Sequence, residues 1–387
     1  MKHMVLLSQA INPDFLKVIT SALPDTKITV LTGSNVTSDD ACVNIVKTVA
    51  HNPKSLISRF KNWWKYTRQA SVWISQNKND IDLFFATTNP PLVVFLLNKV
   101  YRKYKKPYII LIYDIYPDII ERVMGNPFVK IITLLWRKTN IKAYKNAEKV
   151  ITIGQSMASL IKKSHKLEND IEVFPIIVNC DEIKPIAKKE NQFLTKKGLE
   201  TKFAVIYSGN IGQGHDIDVF LESSKYLAKH KDITYIIMGS GARLPSVRER
   251  VLHENLENVF LLDYLPREDF IYALSSGDVG FVSQTKKTCD LMIPSKSYSY
   301  MASGTAIIGL SDGNDDLSEL IEKWSCGVIT PFGDAKALAD AILEMYRHRD
   351  LLARYKYNAL KGAVEGHSTG VAVYMYRRLF EDINFLN

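Results

Sequence analysis

Short apolar runs alternate along this chain with segments whose apolar residues recur every three or four positions, and the rhythm continues to about residue 346. Six runs in the first half, near residues 3 to 8, 27 to 31, 81 to 86, 107 to 113, 149 to 153 and 171 to 176, predict strands with helices between them. That alternation predicts a parallel sheet covered by helices on both faces. Lys184 to Thr201 is polar and lysine-rich and predicts a linker. A second alternation follows from Phe203 to Tyr346, and Ala372 to Phe385 predicts a last helix after a break at Gly366 to Gly370. With 387 residues, 46% of them hydrophobic, the chain is long enough for two domains with a core each.

Two predicted strands of the second half end in glycine. Phe203-Ala204-Val205-Ile206 runs into Tyr207-Ser208-Gly209-Asn210-Ile211-Gly212-Gln213-Gly214, and Thr234-Tyr235-Ile236-Ile237-Met238 runs into Gly239-Ser240-Gly241. Glycine lets a backbone turn tightly and approach a ligand, and amides exposed at a following helix start attract anions. Each loop alone is as well explained by plain turn chemistry. A third segment, Pro294-Ser295-Lys296-Ser297-Tyr298-Ser299-Tyr300, adds a cation to the two loops. Together the three predict one phosphate-binding crevice at the carboxyl ends of the strands.

In order and spacing these segments resemble the C-terminal half of family 4 glycosyltransferases, and the likeness extends over nearly all of the chain. Val259 to Pro266 is similar to the strand and loop beneath the nucleotide base. Ser276-Gly277-Asp278-Val279-Gly280-Phe281-Val282 is similar to the "aDvglvp" strand, and Pro294-Ser295-Lys296 to the "PSK" variant of the donor loop. Gly327-Val328-Ile329 and Ala335 to Ile342 look like the closing strand and helix. In the first half, Thr88-Asn89-Pro90-Pro91 and Tyr113-Asp114-Ile115-Tyr116-Pro117-Asp118 resemble polysaccharide-assembly members.

The resemblance implies the α/β GT-B fold: two Rossmann-like, doubly wound domains facing a central crevice. Residues 1–185 would bind the acceptor, 200–365 the nucleotide sugar, and 366–387 would form a helix crossing back to the first domain. The activity implied is retaining transfer of a hexose from a nucleoside-diphosphate sugar to a lipid-linked or growing surface polysaccharide. A sugar-nucleotide epimerase or hydrolase of the same fold, or a non-catalytic binding subunit, would share these motifs. The donor would sit against Gly209, Asn210, Gly212, Gly239, Gly241, Tyr264, Leu265, Pro294, Ser295 and Ser299. Lys296, with nearby amides, would stabilise the departing diphosphate. Two family features are absent: Asn210 and His215 stand where many relatives have an Arg and a Lys, and Leu291 and Ser299 occupy the E-x7-E glutamates.

Acid–base candidates come from both halves. Asp114, with Tyr116 and Asp118, follows the run Tyr108 to Ile112, and a carboxylate there either handles an acceptor hydroxyl or caps the next helix. His215 is a second proton-transfer candidate. Asp216-Ile217-Asp218 reads D-x-D but sits at a predicted helix start, where carboxylates favour the dipole, so no catalytic metal and no cofactor are expected.

Charge modifies this picture in one half. The net charge is +9, yet residues 51–150 hold 18 Lys and Arg against 6 Asp and Glu, whereas residues 201–387 hold 20 against 24. An anionic partner of the first domain follows, either a membrane surface or a polyanion. From Ser55 to Ser75, aromatic residues including Trp63, Trp64 and Trp73 alternate with Arg59, Lys61, Lys65 and Arg68. They form either an interfacial helix or a core face with solvated lysines. Further basic clusters lie at Arg102 to Lys106 and along Arg137 to Lys149. Nucleic acid is not expected, since no helix-turn-helix, RNA-binding sheet or zinc signature is present. Four dispersed cysteines and no run of about 18 apolar residues fit a cytoplasmic protein, peripheral at the inner face of the membrane.

Overall fold

A computed structural model describes residues 1–51, 56–168, 170–212, 215–263 and 265–386. The chain divides into two compact units, Met1–Pro175 with Thr369–Asn387, and Ile176–Ser368.

Unit 1 is built on a parallel sheet of seven strands: β1 (His3–Leu7), β2 (Lys27–Thr32), β3 (Val43–Lys47), β4 (Leu83–Thr87), β5 (Tyr108–Ile112), β6 (Lys149–Thr152) and β7 (Ile171–Val173). Their order is β3-β2-β1-β4-β5-β6-β7, so the strand order reverses between β1 and β4. Every residue of β1, β4 and β5 is buried, which is why these strands read as unbroken apolar runs. β3 escaped the sequence reading because it is an edge strand with no fully buried residue. Asn12 starts the Pro13–Ala22 helix by accepting the Asp14 N–H, with Pro13 in the first turn. The last helix, Thr369–Asp382, packs on it. Tyr376 lies 4.9 Å from the Phe174 ring, 5.6 Å from Phe15 and 6.0 Å from Phe85, and these contacts hold the C-terminal segment in unit 1.

Unit 2 carries six parallel strands: β8 (Phe203–Asn210), β9 (Ile233–Ser240), β10 (Val259–Leu262), β11 (Val279–Val282), β12 (Ala306–Leu310) and β13 (Gly327–Thr330). The order β10-β9-β8-β11-β12-β13 places the reversal between β8 and β11. Both sheets are therefore doubly wound, as expected for two Rossmann-like domains.

Lys184 to Thr201 is not a linker, and the first unit stops at Pro175 rather than residue 185. The segment holds a helix, Gln192–Lys197, capped by Asn191, whose side chain also donates to the Tyr272 carbonyl at 2.8 Å. Lys188 pairs with Asp278, a carboxylate only 5% exposed that also accepts the Ala204 N–H at 2.9 Å and faces Lys356 at 3.7 Å. A buried carboxylate needs cations and donors, and here it draws a polar stretch onto the sheet. Asp278→Ala is expected to destabilise unit 2 by about 2–4 kcal/mol, because it strands both lysines and one amide. A urea titration checks this, and an unchanged midpoint would refute it.

Candidate functional site

The glycine loops close the carboxyl ends of two neighbouring strands. β8 and β9 stay paired to their last residues, Gly209 opposite Gly239 and Asn210 opposite Ser240. Gly239 has φ +145°, and a Cβ there would lie 1.9 Å from the Gly209 carbonyl oxygen, so neither conformation nor space admits a side chain. Gly209 and Gly241 share the positive φ, at +122° and +150°. Asn210 is held by its carbonyl, which accepts the Tyr207 hydroxyl at 2.7 Å. Its side chain lies next to Gly212, where a Cβ would come within 2.9 Å of the amide nitrogen. The strand ends open onto a cavity of about 410 Å³, lined by Gly209, Asn210, Gly239 and Leu265 together with Arg267 and Phe270.

Lys296 comes to this place from the other side of the sheet reversal. It opens the short helix Lys296–Ala302, after a buried Pro294 and an exposed Ser295. Tyr300 anchors that helix: its hydroxyl accepts the Ser208 N–H at 2.7 Å, and its ring covers Gly280 so closely that a Cβ would approach it to 2.5 Å. The Lys296 ammonium is buried without a hydrogen-bond partner among the described residues. It lies 3.8 Å from the centre of the Tyr207 ring and 3.9 Å from where a Cβ of Gly209 would be. Burial pushes its pKa down to about 7.

His215 joins the two arms of the site. Its Nδ1 lies 3.0 Å from the Ser283 carbonyl, just beyond β11. A carbonyl only accepts, so Nδ1 carries the hydrogen and Nε2 is left as an acceptor. Burial, then the charge of Lys296, pushes the His215 pKa down to about 4. The imidazole is thus neutral near pH 7 and acts there as a clamp between the β8 loop and the end of β11. These are the strands between which the order reverses, where open α/β sheets bind ligands.

Other expectations divide. Tyr264 lies outside the described residues. Ser299 is half-buried in the Lys296 helix, and Leu291 is fully buried core. Asp216 caps the helix Ile217–Tyr226, while Asp218 pairs with Arg243 at 2.6 Å and Arg250 at 3.1 Å, so the D-x-D acids are occupied structurally. Tyr207, Arg267 and Phe270 were missed by the sequence reading. Tyr207 reads as no more than the first residue of the glycine loop, and Arg267, which pairs with Glu182, as an ordinary helix start.

In unit 1, Asp114 follows β5, and burial raises its pKa to about 6 against the opposing charge of Arg59. Tyr116 sets its ring edge-on to Trp63 at 5.5 Å and stacked on Trp136 at 6.2 Å. Asp118 opens the helix Asp118–Met124 without a capping hydrogen bond and pairs with Arg137 at 3.0 Å. That pair gives Asp118 a structural task and leaves Asp114 as the acid–base candidate on this side. The Leu56–Asn77 helix divides its aromatics: Trp63 and Tyr66 are core, and Tyr66 donates to the Leu31 carbonyl at 2.8 Å, whereas Trp64 is exposed. Among the described residues no helix is long and apolar enough to cross a membrane.

Residues 188–362 match the family model "Glycosyl transferases group 1". Over 278 residues, 71% of this chain and 68% of the relative, the sequence is 24% identical to a probable glycosyltransferase, WbjE, of Pseudomonas aeruginosa. The fold is similar to sucrose-phosphate synthase from Thermosynechococcus elongatus, with TM-score 0.79 and 13% identity over all of both chains. It is also similar to Anabaena HepE, solved in complex with UDP-glucose, with TM-score 0.74 and 13% identity over 99% of this chain and 100% of that one. Residues 188–362 are thus similar to group 1 glycosyltransferases, and the chain is a glycosyltransferase with the GT-B fold.

Proposed function

We propose that this enzyme transfers a sugar from a nucleoside diphosphate to a hydroxyl of a lipid-linked or growing surface polysaccharide, with retention of anomeric configuration, at the inner face of the cell membrane. The observation that carries the reading is Lys296, a buried amine with no hydrogen-bond partner among the described residues, beside glycine-lined strand ends that leave backbone room for phosphate. A buried cation without a partner is costly, and a diphosphate would supply the missing anion. HepE, of similar fold, binds UDP-glucose, which supports the nucleotide sugar as donor. The Tyr113 to Asp118 motif and the basic unit 1 support the acceptor and the membrane. No metal or cofactor is assigned to the reaction.

In this mechanism the bond from the anomeric carbon to the β-phosphate oxygen breaks with its electron pair going to the diphosphate. Lys296 and the amides of Gly212 and Ser295 meet the charge that develops there, while the Ile211 and Ser297 amides are already given to the Ser240 and Pro294 carbonyls. The acceptor oxygen bonds to the anomeric carbon on the face the diphosphate leaves, and its proton passes to the departing phosphate. Asp114, poised near pH 6, orients the acceptor hydroxyl. His215, neutral with its hydrogen on Nδ1, offers Nε2 as an acceptor to the donor and keeps the loop in place.

Release of nucleoside diphosphate that requires an acceptor, together with product anomeric configuration by NMR, tests the reaction; hydrolysis or epimerisation without acceptor would reject it. Lys296→Met is expected to lower kcat/KM by about 10²–10³-fold, the scale of losing one transition-state charge partner. The same variant should raise the stability of the ligand-free protein near neutral pH, by about 1–3 kcal/mol. The sign follows from linkage. The unfolded chain titrates this lysine at 10.5 and the folded chain at about 7, so the unfolded state holds the extra proton between those values. The cost of Lys296 is full below pH 7 and fades as pH rises toward 10.5. Thermal melts of both proteins across that range check it; a gap that does not narrow contradicts the assignment. Binding of a nucleoside diphosphate at slightly alkaline pH should take up protons as the amine recharges, which calorimetry in buffers of different ionisation enthalpy would read. Asp114→Asn should lower kcat by about 10²-fold and remove the activity loss expected of the wild type as pH falls through about 6.

A further inference from the structure

The Pro127–Lys145 helix is turned inside out. Its buried side includes Thr133, Trp136 and Asn140, while Phe128, Ile131, Ile132 and Leu135 are 77%, 62%, 63% and 62% exposed. Leu134 on the same helix, and Val123 and Met124 on the helix before it, extend the exposed apolar surface. A surface helix ordinarily buries its apolar stripe and wets its polar one. Here polar contacts lock the reverse orientation: Arg137 pairs with Asp118 at 3.0 Å and Glu121 at 2.8 Å, Thr133 donates to Glu121 at 3.1 Å, and Asn140 donates to the Tyr116 carbonyl at 2.8 Å. Rotating the apolar side inward would break all four, so the exposed patch is a fixed property of the fold. A contiguous patch of this kind marks an interaction surface.

Charge identifies the partner. The helix contains five cations, Lys130, Arg137, Lys138, Lys142 and Lys145, and no acidic residue. Lys138, Lys142 and Lys145 are exposed along the last turns, beyond the apolar first half. The nearby acids Asp118 and Glu121 are both taken by Arg137. A second copy of the chain would oppose cations to cations on this face, whereas an anionic leaflet offers hydrocarbon to the apolar half and phosphate to the basic half.

We infer that the Asp118–Met124 and Pro127–Lys145 helices are the membrane-docking element of this enzyme, lying in the plane of an anionic lipid surface with Phe128, Ile131, Ile132 and Leu135 inserted at the headgroup boundary. The inference rests on the proposed action at a membrane and names the element responsible, which is not the tryptophan-bearing Leu56–Asn77 helix. Docking there has a functional consequence. The same two helices hold Tyr116 and Asp118, so the segment carrying Asp114 is brought to the surface from which a lipid-linked acceptor presents its hydroxyl.

Sedimentation of the full chain with vesicles of phosphatidylcholine, with and without phosphatidylglycerol, tests this. The wild type should bind only the anionic vesicles, and binding should weaken with salt. Ile131→Glu with Leu135→Glu should weaken binding at least about tenfold, because two inserted side chains become charged. The unfolding midpoint should not move, since both residues are exposed. Trp64→Glu with Val72→Glu, on the Leu56–Asn77 helix, should bind as the wild type does. Vesicle binding lost in that second variant and kept in the first overturns the assignment while leaving the membrane reading intact. No vesicle binding by the wild type overturns both, and a dimer in gel filtration that only the Ile131/Leu135 variant dissolves assigns the face to a second copy instead. Diphosphate binding measured on the same variants keeps the donor-site reading separate from every one of these outcomes.

Discussion

A parallel sheet whose strand order reverses leaves its carboxyl ends uncovered at the reversal, because the helices on either side depart in opposite directions. In unit 2 that gap falls between β8 and β11, and the chemistry of the domain is arranged around it. Glycine at 209, 239 and 241 keeps side chains away from the strand ends. His215 ties one arm of the gap to the other through the Ser283 carbonyl, and Tyr300 fixes the helix that delivers Lys296. Without the reversal the two loops and the lysine would have no common place to meet.

The electrostatics of unit 2 contrast a satisfied buried charge with an unsatisfied one. Asp278 is surrounded by Lys188, Lys356 and the Ala204 amide, and it organises the segment that enters the domain. Among the described residues Lys296 has no hydrogen-bond partner and lies over the face of Tyr207, and burial lowers its pKa. Such an arrangement lowers the stability of the empty protein and raises what an anionic ligand gains on arrival. Arg243 and Arg250 do not relieve it, because Asp218 and its neighbours engage them.

Unit 1 uses the same sheet architecture for a different end. Its polar contacts are spent on orienting a helix whose apolar side faces outward, and on holding the loop that carries Asp114 and Tyr116. Of the 18 cations in residues 51–150, three, Lys138, Lys142 and Lys145, are exposed on the last turns of the inverted helix.

Much of this was legible beforehand. Buried parallel strands read as apolar runs, and glycines at strand ends read as turns, because both requirements act within a few residues of the chain. Thus the doubly wound class, the glycine-ended strands β8 and β9 and the basic first half belong to the sequence alone. What it left open depended on partners distant in the chain. Nothing local to Lys188 announces that Asp278 will capture it, nothing in Tyr207 marks it as the floor beneath an ammonium, and Asp118 is separated from Arg137 by a helix boundary. The sequence marks Arg137 to Lys149 only as a basic cluster; the tertiary ion pairs decide that the apolar side of the Pro127–Lys145 helix faces out, since the direction a helix turns is set by what its other face binds.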